Sequence, residues 1–213
     1  MPRGCAILYV PVRNQHLMRS TLPTSTGFVP QSNSPTTSSG PIRPFAAAYT
    51  FKGTIDNTPE MCLRTALAYR ESLGGESAIL SYCHKLARSA GARVAEVLAT
   101  RVLENGEGTL GNCCFTNVAL PLNKAVLLDL LRSRKEAGTD TTMTEAKVGT
   151  TILNWLTRQL VERHDTFMAI IFYADEWWVR LSAQVYLEMD DFEWGAELLK
   201  GLCEEVREGK WLN

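Results

Sequence analysis

The sequence predicts an α+β fold: a small antiparallel sheet with helices on one face, preceded by connecting helices and one strand whose sheet lies elsewhere. Three observations carry this. From residue 100 onward, short extended runs are interleaved with amphipathic helical segments and include a hairpin, an arrangement that segregates helices to one side of an antiparallel sheet. Residues 58–99 hold two helical stretches separated by Gly74-Gly75. Gly4 to Val10 is a continuous apolar run that opens the chain as a buried-type strand, and buried backbone groups need pairing partners.

The chain of 213 residues can bury a good core. Its 45% hydrophobic and 21% charged content is that of an ordinary soluble globular protein. A formal net charge of -1 argues against nucleic acid or an anionic membrane as partner. The longest apolar run, Phe167 to Tyr173, is strand-sized, so no membrane span is expected. The opening stretch leads into Pro11-Val12-Arg13-Asn14 rather than a small-residue cleavage site, so the chain is expected to be cytosolic. Six cysteines, Cys5, Cys62, Cys83, Cys113, Cys114 and Cys203, make no CxxC pair and read as reduced, buried thiols. His16, His84 and His164 show no metal-ligand spacing.

The elements follow in order. Gly4 to Val10 is the opening strand, ended by Pro11. Residues 21–44 are rich in Ser, Thr, Pro and Gly and read as a mobile surface loop, so Pro2 to Pro44 is expected to be poorly anchored. Thr58 and Pro59 suit a helix start, and the helix runs through Met61, Leu63, Leu67 and Tyr69 to Leu73. A second helix places Ile79, Cys83, Leu86, Ala90, Val94 and Leu98 on one stripe, with a bend at Gly91. Arg101 to Leu103 and Asn112 to Val118 read as strands joined through the Asn105-Gly106 turn. Helices are expected over Ala125 to Lys135 and Lys147 to Arg163. Thr166 to Tyr173 and Trp177 to Ala183 form a hairpin around Ala174-Asp175-Glu176, and a last helix starts at Asp190, with Glu193 completing a capping box, and runs to Arg207. The resulting division is residues 1–57, 58–99 and 100–213. The aromatics Trp155, Trp177, Trp178, Phe192 and Trp194 are expected to pack the last of these.

Arg180 is the sharpest candidate for a site. Alternation puts Trp177, Val179, Leu181 and Ala183 on one strand face and Trp178, Arg180 and Ser182 on the other. An arginine inside so apolar a run is expected to be desolvated and to hold an anion. The residues alone leave open which anion that is, and also allow a structural ion pair with Asp175 or Glu176 or exposure at a sheet edge.

Three islands resemble class V aminotransferase-like enzymes, which use pyridoxal phosphate. They are Pro2-Arg3-Gly4-Cys5-Ala6-Ile7-Leu8-Tyr9, then Phe51-Lys52-Gly53-Thr54-Ile55-Asp56-Asn57, then Trp178-Val179-Arg180-Leu181-Ser182-Ala183-Gln184-Val185-Tyr186. Within that family the chain looks most like fungal isopenicillin N epimerase-like and C–S lyase-like proteins. The resemblance implies the C-terminal part of a PLP-dependent transferase fold acting on an amino-acid substrate by transamination, epimerisation or C–S lysis. It implies that Arg180 holds the substrate α-carboxylate. It also implies that Gly53 and Thr54 reach the phosphate of the PLP bound by the other subunit of a dimer, although the same turn serves equally as a lead-in to the helix at Pro59. The family's Schiff-base lysine precedes the first island, so the chain is expected to begin just after it and to form no covalent link to PLP alone. Lys52, Lys85 and Lys124 do not match its context. The rival expectation is a non-catalytic truncated paralogue that pairs with a full-length relative.

Overall fold

A computed structural model describes residues 7–18, 45, 58–136 and 144–212. Contacts divide the chain into two compact units, Met1–Ser72 and Leu73–Asn213.

In the first unit, the opening strand is not formed where it is described. Ile7 to Val10 carries no strand pairing, and Ile7, Leu8 and Tyr9 are exposed. A strand is defined by its ladder, and the described residues of this unit offer no neighbour for one. Gly4 to Ala6 lie outside the described residues, as do residues 19–44 with the expected loop. A 3-10 turn spans Val12–Leu17, with no buried residue. Two helices follow, α1 (Thr58–Met61) and α2 (Leu63–Ser72), where one was expected. The expected stop is present: Gly74 and Gly75 take the left-handed conformation at φ 99° and 78°, which glycine adopts without a Cβ clash.

The second unit begins with α3 (Gly75–Leu98), whose expected stripe of Ile79, Cys83, Leu86, Ala90, Val94 and Leu98 is buried throughout. The helix is unbroken at Gly91. A Cβ there would lie 2.7 Å from Thr116 Cγ2, so the glycine serves close approach of helix to strand. Strand β1 (Phe115–Ala119) follows, then α4 (Lys124–Glu136) and α5 (Val148–His164) after a 3-10 turn at Glu145–Lys147. Asn123 Oδ1 accepts the amides of Ala125 and Val126 and caps α4. Strands β2 (Ala169–Tyr173) and β3 (Glu176–Ser182) form the expected hairpin, and α6 (Met189–Arg207) ends the regular structure. The sheet is antiparallel with order β1-β3-β2. Its inner face, bearing Thr116, Val118, Trp177, Val179, Leu181 and Ile170, is buried in one core with α3, α5 and α6.

Three further expectations need correction. Arg101 to Leu103 makes only an isolated bridge, Val102 to Val118, rather than a strand. The reason lies in the following loop: the Glu104 carboxylate accepts the amides of Asn105, Leu110 and Gly111 at 2.9, 2.7 and 3.1 Å. Those hydrogen bonds, the Asn105 one foremost, hold Glu104 below the usual carboxylate range. Side-chain capture of the backbone replaces the ladder that a hairpin at Asn105-Gly106 would need. The later hairpin closes on two residues, Ala174 and Asp175, at φ 51° and 62°, so Glu176 belongs to β3. Positive φ at both positions is the turn whose twist matches the strands. Finally, the capping box of α6 is Glu188 with Asp191, two residues earlier than Asp190 with Glu193. Asp191 sits three residues after Glu188 and accepts its amide at 2.8 Å.

Tight packing is concentrated where α5 meets the hairpin. Trp177 is wholly buried, and its Nε1 donates to the Gly149 carbonyl at 3.0 Å. The Phe172 ring lies 4.9 Å from Trp177 and fills the space a Gly149 side chain would need, with Cε1 2.5 Å from an added Cβ. Gly149→Ala is therefore expected to destabilise the protein by about 1–3 kcal/mol through overpacking. Phe172→Leu in the same chain should recover part of that loss. Urea midpoints of the three variants check this.

Arg163 donates to both oxygens of Glu205 at 2.8 and 3.0 Å, and these hydrogen bonds lower the Glu205 pKa from its ordinary 4.5. A lowered carboxylate stabilises above its unfolded pKa, and that contribution is lost as pH falls through the folded one. Glu205→Gln should thus cost about 1 kcal/mol or less near neutrality. The gap from the parent should close in acid below the folded pKa, read from chemical denaturation against pH.

Candidate functional site

The helices of the second unit cover one side of the sheet and leave the other side open. Strand alternation and register decide what the open face carries. Arg180 lies in the middle of β3, the central strand, opposite Asn117 of β1 and Ala169 of β2. Trp178 and Ser182 share its face. Phe115, Ile171 and Tyr173, which stand opposite Ser182, Trp178 and Glu176 in the register, are 43%, 41% and 62% exposed at its margins.

Arg180 is exposed, which corrects the expectation of a desolvated arginine. The apolar run around it does not bury it, because no helix of this unit covers its side of the sheet, where Phe115, Ile171 and Tyr173 are exposed as well. The acids that could have neutralised it are engaged elsewhere. Asp175 pairs with Lys124 at 2.6 Å, and Glu176 pairs with Arg101. Glu176 also stands four residues from Arg180 along the strand, about 13 Å away at the rise of a β-strand. Among the described residues, Arg180 has no ion-pair or hydrogen-bond partner through its guanidinium.

Its neighbour Trp178 is held firmly. The indole Nε1 donates to the Tyr173 carbonyl at 3.1 Å, and the Arg101 guanidinium lies over the ring at 5.1 Å. That stack covers Trp178, which is only 2% exposed although it faces outward. The result is a preformed floor: a fixed indole beside an uncommitted guanidinium, with small Ala169 leaving room on the β2 side. A planar fork of donors in such a setting binds a carboxylate bidentately. Beyond the edge of β1, an open depression of about 470 Å³ is lined by Thr100, Arg101, Leu122 and Glu176 among others. Its arginine is already neutralised by Glu176.

Gly53 and Thr54 lie outside the described residues. Lys124 is committed to Asp175 and lies 5.6 Å from the Phe172 ring, and Lys85 is exposed on α3. None of the described cysteines is in a disulfide; Cys83 and Cys203 are buried, whereas Cys62, Cys113 and Cys114 are half-buried rather than core. Burial pushes the Cys203 thiol up to about 12, which leaves it protonated and unreactive. Trp194 is 54% exposed, unlike the other aromatics expected to pack this unit. Among the described residues, no helix is long and apolar enough to cross a membrane, and no group of His, Cys, Asp and Glu is arranged to hold a metal ion. Sequence reasoning did not set Asn117 opposite Arg180. The signal was strand pairing, which a single strand read alone does not carry.

No family model matches the chain. Two L-cysteine desulfhydrase-like proteins of Epichloe uncinata are each 38% identical to it over 221 aligned residues, which cover 97% of this chain and 48% and 47% of theirs. Hercynylcysteine sulfoxide lyase of Schizosaccharomyces pombe (strain 972 / ATCC 24843) is 23% identical over 202 residues, covering 95% of this chain and 43% of that protein. The chain thus spans about half the length of the curated relatives it matches.

Proposed function

We propose that this chain is the C-terminal part of a PLP-dependent C–S lyase of the class V aminotransferase-like kind, and that it supplies the substrate-carboxylate site. The observation that carries the reading is the uncommitted Arg180 at the centre of an open sheet face, in a chain whose relatives are named for cysteine desulfhydration and sulfoxide lysis. The substrate is an amino acid with sulfur on its β-carbon. Arg180 takes the α-carboxylate on its paired N–H donors and so fixes the α-carbon above the sheet, while Trp178 forms a rigid wall. Binding in this geometry orients the bonds to be broken and leaves the sulfur-bearing arm free.

Pyridoxal phosphate, when bound, supplies the electron sink for bond cleavage at the α-carbon. The described residues suit recognition of the substrate. By family expectation, the lysine that attaches the cofactor lies in the other half of the relatives' length, Lys124 here being paired with Asp175. The reading carries with it the family expectation that Gly53 and Thr54 hold the phosphate of the cofactor bound by the other subunit of a dimer, in the cytoplasm. A second reading follows from the half-length span: the chain is a non-catalytic paralogue that pairs with a full-length relative and keeps the same face as a binding surface.

The test is made on the protein in which this chain is joined to the other half of its relatives' length, with sulfide or thiol release as the assay. Arg180→Ala should raise KM for the sulfur amino acid by about 100-fold or less, as loss of a charge-assisted bidentate contact implies, and Arg180→Lys should restore part of it. An Arg180→Ala enzyme with an unchanged KM overturns the carboxylate role. Co-purification of the 213-residue chain with a longer homologue, and no turnover in the joined protein, selects the paralogue reading.

A further inference from the structure

We propose that Asn117 is a second anchor for the same carboxylate, donating an amide N–H beside the Arg180 guanidinium. The inference rests on the carboxylate reading of Arg180 and adds the residue that orients the anion there.

Leu120 donates its amide to the Trp177 carbonyl at 2.7 Å, and Ala183 donates to the Cys114 carbonyl at 2.8 Å. These two directly opposite pairs are hydrogen-bonded, and in an antiparallel ladder such pairs alternate with non-hydrogen-bonded ones. Counting inward by two from each end makes 118 with 179 and 116 with 181 hydrogen-bonded, and 117 with 180 non-hydrogen-bonded. Consistently, the Asn117 carbonyl points the other way and accepts the Leu103 amide at 2.8 Å. Side chains of a non-hydrogen-bonded pair are the closer kind, with Cα atoms about 4.5 Å apart. Asn117 therefore faces Arg180 in a close pair, as Phe115 faces Ser182 and Ala119 faces Trp178 on the same side of the sheet.

Both are uncommitted. Among the described residues, neither the Asn117 amide nor the Arg180 guanidinium has a hydrogen-bond partner in its side chain. Asn117 is half-buried, and asparagine is disfavoured in strands, so the centre of β1 is a costly place for it. On the other flank of Arg180 stands Ala169, which offers no polar group and leaves space. Among the described residues of the sheet, the anion is thus met from the β3 and β1 sides. A carboxylate bound end-on to a guanidinium still has a free lone pair on each oxygen, and an amide N–H one strand away can take one of them. That third donor sets the carboxylate's rotation about the axis of the fork, which two parallel bonds to one planar group leave looser.

The test uses the 15N-labelled 213-residue chain and sodium acetate as the carboxylate probe, with acetamide as the neutral control. The parent should show a saturable shift of the Arg180 Nε–H resonance with acetate and none with acetamide. Asn117→Ala should weaken that titration about tenfold, the worth of one hydrogen bond to a charged group, with the rest of the amide spectrum unchanged. Asn117→Asp should shift the Arg180 resonance before any acetate is added and abolish the titration, because the new carboxylate occupies the fork. Asn117→Gln should titrate better than Asn117→Ala. If the parent resonance does not respond to acetate, the carboxylate reading of Arg180 itself falls. If it responds and Asn117→Ala titrates like the parent, only the role of Asn117 falls.

Discussion

The burial of Trp177 is the constraint on which the rest of this unit depends. It is the largest wholly buried side chain, its indole N–H is satisfied by the Gly149 carbonyl, and its ring packs on Phe172. Those contacts tie the central strand to the first turn of α5 and set its rotation. Because side chains alternate along a strand, placing Trp177 inward places Val179 and Leu181 inward and Trp178 and Arg180 outward. A slip of one residue would bury Arg180 in the core, where its desolvation has no compensating acid. Core packing and the candidate site are two consequences of one register.

The open face is polar at its centre and apolar at its margins. Local ion pairs account for this as much as the sheet does. Lys124 takes Asp175, and Arg101 takes Glu176 while stacking on Trp178. Each pair is exposed and contributes little to stability. Their effect is to engage the two acids nearest the hairpin, so that neither pairs with Arg180. The proposed carboxylate site rests on that guanidinium, left without a structural partner among the described residues and standing beside a rigid aromatic.

Much of the fold was legible in the sequence where the pattern was local. The stripe from Ile79 to Leu98, the helices around Val126 and Leu156, and the hairpin of residues 169–182 follow from apolar spacing alone. The errors came where one side chain competed with a backbone pattern. Glu104 drew three amides to itself and dissolved the expected first strand, and Asp191 capped α6 ahead of Glu193. At the site, alternation named Arg180 and its face correctly, but took the apolar residues around it as evidence of burial. Gly53 and Thr54, known only through the resemblance, lie outside the described residues.

What the sequence determined by itself is the set of elements and the inward or outward sense of each residue in them, because periodicity is a property of one segment. Which residues meet across strands was decided only by tertiary structure. Asn117 and Arg180 are separated by more than sixty positions, and their pairing depends on β3 lying between β1 and β2. Exposure was decided there too: whether a second layer covers a face is a fact about neighbouring elements, and no run of residues carries it.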